Sequence, residues 1–185
     1  MKKAFITGIN GQDGSYLSEY LLSLGYEVYG IVRRNSVSES QQSRFSEEIR
    51  LKLNIFYGDL LDQSSLEEAL NDIKPDEIYN LGAQSHVKVS FETPEYTQNA
   101  DAAGVLRILE SIRLNKLEKR TKFYQASTSE MFGSTKPPQN ENSIFKVLEF
   151  NNTGSNSTVS IGTYINSTIT SVGGTFIAIG SANTT

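Results

Sequence analysis

The chain has 185 residues, carries a net charge of −4 and contains no cysteine and one histidine, His86. That length suffices for one domain with a real core. The composition excludes disulfides, thiolate chemistry and histidine-cluster metal sites, and it shows no basic bias toward nucleic acid or anionic membranes.

The elements alternate along the chain. "KAFITG" is a short apolar strand closed by Gly8. "GSYLSEYLLSLG" follows as a helix, with Leu17, Leu21 and Leu24 on one face and Gly25 placed to stop it. "EVYGIV" is the second strand, and residues 33–50 read as a polar loop with one helix at most. "LNIFYGD" is the third strand; "SSLEEALNDI" is a helix with a capping serine and early glutamates, ended before Pro75. "DEIYNLGA" is the fourth strand, "PEYTQNADAAGVLRILESIRLN" a long helix with Pro94 near its first turn, and "KFYQAS" the fifth strand. Such alternation predicts a doubly wound α/β fold, a parallel Rossmann-type sheet covered on both faces.

Every Lys, Arg, Asp and Glu lies at or before Glu149. From Asn151 to Thr185 the chain is Asn, Thr, Ser, Gly and apolar residues, with some strand-like alternation. The sequence therefore predicts a nucleotide-binding domain over 1–145 and an unrelated-looking tail over 146–185. "MKKAFITG" lacks the apolar core of a signal peptide, and no apolar run spans a bilayer, so a cytoplasmic location is expected.

Ligands of doubly wound sheets bind outside the carboxyl ends of the strands. After strand one comes "GINGQDG", with Gly8, Gly11 and Gly14 spaced G-x-x-G-x-x-G between a strand and a helix. Glycines there allow the backbone to approach a pyrophosphate, and the helix N-terminus supplies N–H groups. Strand two ends in Arg33 and Arg34 where an NAD site has a carboxylate. A guanidinium suits a 2′-phosphate and favours NADP; two solvated surface arginines are the bland alternative. Asp59 is either a neighbour of the adenine or a cap for its own turn. Leu81 to Ser85 offer small residues for close approach. After strand five, "STSE" places Thr128 and Glu130 at one mouth. A hydroxyl with a carboxylate suits an elimination; a capped turn with an outward glutamate fits that stretch equally well.

"ITGINGQDGSYLSEYLLSLGYEVYGIVRRNS", "PDEIYNLGAQSHVKVSFETPEYT" and "KFYQASTSEMFG" resemble the GDP-mannose 4,6-dehydratase family, in the extended short-chain dehydrogenase/reductase group. The resemblance runs from about Lys3 to Phe145 and is poor over Val37–Ile49. It implies conversion of GDP-mannose to GDP-4-keto-6-deoxymannose with NADP as a recycled hydride carrier, in a homo-oligomer. It implies Glu130 as the elimination base, helped by Thr128. Implied cofactor contacts are Gly8, Ile9, Asn10, Gly11, Gln12, Asp13, Gly14, Arg33, Arg34, Asn35, Ser36, Asp59, Leu60, Leu81, Gly82, Ala83, Gln84, Ser85 and Tyr96. The family's Tyr-x-x-x-Lys pair has no match: Tyr164 is the one tyrosine after Glu130, Thr168 stands four residues on, and no lysine follows Lys146. An inactive NADP-binding chain, or another nucleotide-sugar dehydratase or epimerase, are the alternatives.

Overall fold

The computed structural model describes residues 1–34, 44–128, 132 and 135–144. Five strands form one parallel sheet: β1 (Lys3–Thr7), β2 (Glu27–Val32), β3 (Asn54–Tyr57), β4 (Glu77–Asn80) and β5 (Lys122–Gln125), in the order β3-β2-β1-β4-β5. The order reverses at β1, with β2 on one side and β4 on the other. The helices are α1 (Gln12–Ser23), α2 (Glu47–Arg50), α3 (Gln63–Ile73), α4 (Val87–Glu92), α5 (Pro94–Gln98) and α6 (Gly104–Leu114), with a π-helical turn at Asn99–Ala103. Contacts divide the chain into two units, Met1–Ala126 and Ser127–Thr185. The boundary expected near Phe145–Phe150 falls outside the described residues.

The strands are apolar on both faces because both are covered. Phe5, Ile31 and Ile78 pack with Leu66, Leu70 and Ile73 of α3 and Ile108 and Ile112 of α6. Ala4, Ile6, Val28 and Val32 pack on the opposite face with Ile9 and Leu21. Phe5, Ile6, Leu66, Leu70, Ile78 and Ile108 are fully buried. At about 1.5–3 kcal/mol for each large apolar side chain removed from water, this double layer is the main stabilising term.

Several local features differ from the sequence reading. Leu24 is exposed, because α1 stops at Ser23 and Leu24 forms its C-cap. The face of α1 toward the sheet is instead Gly14, Ser15, Ser18 and Leu21. Small residues there bring the helix axis close to β1. Gly25 does end the helix, with φ of 79°. Helix α3 is capped by Asp62, whose Oδ1 accepts from Ser64 N–H at 3.1 Å, and not by a serine; its first turn holds no acid. Asp62 has the extended backbone a cap requires, and Ser64 and Ser65 are already inside the helix. The long helix after β4 is three pieces joined through the π turn, preceded by the short α4.

Glycine is obligatory where α1 meets β1. A Cβ on Gly14 would sit 2.4 Å from Gly8 O and 2.8 Å from Ile9 Cα. A Cβ on Gly30 would meet Ile9 Cδ1 at 2.3 Å. Gly8 has φ of 68°, and a Cβ on it would meet the Gly82 nitrogen at 2.8 Å.

At the opposite, amino end of the sheet, Asp76 clamps three strands. Its Oδ2 accepts from Lys3 N–H at 2.8 Å, and its Oδ1 accepts from Arg120 Nε at 3.1 Å. Its own N–H donates to Lys3 O, and its carbonyl accepts from Lys122 N–H, each at 2.9 Å. The Lys3 N–H bond holds the carboxyl below the usual aspartate range, against opposing desolvation and with help from Arg120.

This packing has measurable consequences. Gly14→Ala will destabilise the fold by about 1–3 kcal/mol, because backbone and not a flexible side chain must yield; chemical denaturation reads the loss, and unchanged stability would refute the contact. Asp76 has a depressed folded pKa, so its contribution is present above the unfolded value of about 4 and is lost as pH falls through the folded one. The acid limb of stability against pH will therefore be shallower in Asp76→Asn than in the native chain, and Asp76→Ala will cost about 1–3 kcal/mol at neutral pH by orphaning the Lys3 N–H.

Candidate functional site

The carboxyl ends of β1, β2, β3 and β4 bring four stretches to one edge of the first unit. The β1–α1 turn is the centre. Gly11 N–H donates to Gly8 O at 2.9 Å, which closes the turn, and Gly11 then serves as the N-cap of α1 without any side-chain hydrogen bond. The N–H groups of Gln12, Asp13 and Gly14 precede the first intrahelical bond and receive no cap from Gly11. Gln12 and Asp13 are exposed, and Asn10 is half-buried beside them. An uncapped helix N-terminus behind a glycine turn fits a phosphate group. Ile9 is different: its side chain is fully buried in the core, so it can offer a ligand only its main chain.

Gly8 rests against Gly82, and the contact is held by a buried polar chain. Gly82 N–H donates to Thr7 Oγ1 at 2.9 Å, and Thr7 donates to Asn80 Oδ1. Asn80 Nδ2 donates to Gln125 Oε1 at 2.7 Å. Thr7 and Asn80 are buried, so each hydrogen bond also avoids an unpaired polar group in the core. Sequence reasoning missed Thr7, Asn80 and Gln125. The signal was a polar residue at the last position of each of β1, β4 and β5, but adjacent residues in sequence did not reveal that the three lie side by side.

Arg33 and Arg34 follow β2, and both are exposed. The Arg33 guanidinium donates to the Tyr96 hydroxyl on α5. The Arg34 guanidinium lies over the ring of Tyr57, 4.6 Å from its centroid, at the end of β3. Three expected residues, Arg33, Arg34 and Tyr96, are thus brought to one place, and Tyr57 joins them as a cation–π platform that the sequence did not signal. Asn35 and Ser36 lie outside the described residues.

Asp59 caps its own turn: Oδ1 accepts from Leu61 N–H at 3.0 Å. Leu60 packs on the core, and its carbonyl accepts from Arg107 Nη1 at 3.1 Å. In the β4–α4 loop Leu81 is half-buried against the core, while Ala83 and Ser85 are exposed. Gln84 is tied at both ends. Its N–H donates to Asp101 Oδ1 at 2.7 Å, and its side-chain amide donates to Thr97 Oγ1 and His86 O, each at 3.2 Å. His86 caps α4, its Nδ1 accepting from Val89 N–H at 3.5 Å. Burial pushes the Asp101 carboxyl above the ordinary aspartate range, an effect only partly offset by the Gln84 N–H.

Thr128 is exposed and belongs to the second unit, as does Glu130, which lies outside the described residues. No group of three or more metal-ligating side chains occurs among the described residues, and no helix among them is long and apolar enough to cross a membrane.

Comparison with known proteins agrees with this geometry. The family described as GDP-mannose 4,6 dehydratase matches residues 5–148. The chain is 54% identical over 150 residues to GDP-mannose 4,6-dehydratase of Yersinia enterocolitica, covering 78% of this chain and 40% of that one. It is 56% identical over 149 residues to that of Vibrio cholerae, with the same coverage, and 52% identical over 152 residues to that of Drosophila melanogaster, covering 78% and 38%. The chain thus spans about 40% of the length of these relatives. Among solved structures it resembles UDP-glucose 4-epimerase of Thermus thermophilus in complex with NAD, at a TM-score of 0.63 and 26% identity over 78% of this chain and 44% of that one. A UDP-Glc/GlcNAc 4-epimerase of Campylobacter jejuni, at a TM-score of 0.66 and 20% identity over 79% and 43%, shares the fold. With a glycine turn on an uncapped helix, a five-stranded parallel sheet reversing at β1 and a family match over residues 5–148, the chain belongs to the GDP-mannose 4,6-dehydratase family.

Proposed function

We propose that residues 1–145 bind NADP and serve a nucleotide-sugar 4,6-dehydratase acting on GDP-mannose. The observation that carries this reading is the uncapped N-terminus of α1 behind Gly8, Gly11 and Gly14, on the same sheet edge as Arg33 and Arg34. The N–H groups of Gln12, Asp13 and Gly14 take the cofactor's pyrophosphate. Arg33, oriented by Tyr96, and Arg34, seated on Tyr57, take the 2′-phosphate through charge-assisted hydrogen bonds. Among the described residues no carboxylate follows β2 to hold a free 2′-hydroxyl, the group an NAD site places there.

Bound NADP supplies the hydride acceptor at C4 of the mannosyl ring and the hydride donor at C6. Glu130 removes the C5 proton, acidified by the neighbouring ketone, and delivers it to the C6 hydroxyl, which leaves as water with Thr128 hydrogen-bonded to the departing oxygen; when hydride returns to C6, C5 takes a proton back. Product is GDP-4-keto-6-deoxymannose. Oxidation at C4 also needs an acceptor for the hydroxyl proton, and no Tyr-x-x-x-Lys follows Glu130 in this chain. A cofactor-binding chain without turnover is the second reading, and this absence favours it for the chain by itself.

Titration with NADPH and NADH will show preference for NADPH, and Arg33→Ala or Arg34→Ala will reduce that preference by about tenfold. Equal affinities in the native chain would refute the assignment. Incubated with GDP-mannose and NADP, the 185-residue chain will give no measurable 4-keto-6-deoxy product, since a missing general base alone lowers rate by about a hundred- to ten-thousand-fold. Turnover at the rate of an intact family enzyme would show that another group accepts the C4 hydroxyl proton.

A further inference from the structure

The β4–α4 loop, Leu81 to Ser85, has no regular structure of its own, yet Gly8 rests against it. Something must fix it. The structure points to the π turn at Asn99–Ala103, a feature absent from the sequence reading. A π turn carries one more residue per turn than an α-helix and so re-aims the side chains that follow. Asp101 lies in this turn, and its Oδ1 accepts from Gln84 N–H at 2.7 Å. Thr97, one turn earlier and buried, accepts from the Gln84 side chain at 3.2 Å, so the same helical face holds the loop twice.

The turn also reaches the neighbouring loop. Arg107 Nη1 donates to Asn99 O and to Leu60 O, each at 3.1 Å, so the carbonyl of the π turn and the β3–α3 loop share one guanidinium. Gly104, at the start of α6, lets Leu60 come close: a Cβ there would stand 3.1 Å from Leu60 Cβ. The helix following β4 thus sets two of the loops expected at the cofactor, one through Asp101 and one through Arg107. Neither side chain was a candidate on the sequence.

We propose that Asp101 is a positioning residue for the nicotinamide cofactor: through its hydrogen bond to the Gln84 N–H it holds the Leu81–Ser85 loop in the conformation that packs on Gly8 and borders the ligand. This rests on the cofactor reading of the site. Asp101 need not touch the ligand. Its effect is on affinity, through the conformation of a loop that otherwise samples several states, so that only a fraction of molecules is competent to bind. The geometry requires an acceptor at Oδ1 and not a charge. Asparagine retains that acceptor and alanine does not.

The test is a fluorescence titration of NADPH into the full chain and its Asp101→Asn and Asp101→Ala variants, with thermal unfolding of each. Asp101→Ala will bind about tenfold more weakly, and Asp101→Asn will bind within about twofold of the native chain. A structural role alone would lower unfolding temperature and affinity together in Asp101→Ala, whereas a positioning role lowers affinity while the unfolding temperature stays near that of the native chain. Equal affinity in Asp101→Ala and the native chain overturns the proposal, as does an equal loss in Asp101→Asn. If Asp101→Ala fails to fold, hydrogen exchange at the Gln84 amide of the native chain decides: protection supports the bond, and exchange at the free-peptide rate overturns it. A native chain that binds no NADPH defeats the cofactor reading itself, and the positioning role with it.

Discussion

The first unit is organised around one close approach, that of the Gly14 backbone to the Gly8 carbonyl. A methyl group cannot be inserted there without moving backbone, and on Gly30 of β2 it would meet Ile9 of the same turn, so α1 starts close against the β1–α1 turn. That nearness has two consequences. It buries small residues, Gly14, Ser15 and Ser18, where most helices present leucines. It also points the first turn of α1 over the end of the central strand with its N–H groups uncapped, which is the electrostatic feature an anion uses.

The two ends of the sheet are treated in opposite ways. At the amino end, Asp76 uses its carboxylate and its main chain to tie β1, β4 and β5 together, and nothing of it is left for a ligand. At the carboxyl end, the corresponding ties are neutral and buried, through Thr7, Asn80 and Gln125, and they hold the strand ends level from below. Charged and exposed groups such as Arg33 and Arg34 remain at the top of the edge, steadied by tyrosines. An arginine held by a hydroxyl or a ring keeps its full charge available, whereas one in an ion pair would have to break it before meeting a phosphate.

Loops carry most of the expected site, and loops need external support because they lack ladder hydrogen bonds of their own. Here the support comes from side chains on α5, the π turn and α6. Asp59 and Gln84 illustrate the point. Both are polar residues at strand ends, both were candidates for ligand contact, and both form hydrogen bonds to the protein itself. Their side chains are spent on shaping the backbone of that edge.

Much of the fold was legible in the sequence. Five apolar runs alternating with amphipathic helices dictate a parallel sheet covered twice, since only that arrangement buries both faces of strands such as "KAFIT" and "EVYGIV". The glycine turn was legible because three glycines between a strand and a helix have few other uses, and so was the arginine pair at the end of β2. What the sequence left open was every contact between residues far apart in the chain. Whether Asp59 caps a turn, which residue caps α3, that Leu24 falls just past the helix, and that Tyr96 and Tyr57 receive the two arginines depend on where other elements lie. The π turn was invisible for the same reason: its sequence, "NADAA", reads as plain helix, and the bonds from Asp101 and Arg107 to two separate loops join residues far apart in the chain. Local patterning determined the elements and their faces, because hydrophobic periodicity and backbone freedom act within a few residues; the tertiary structure alone decided which polar groups are consumed by the fold and which are left for a ligand.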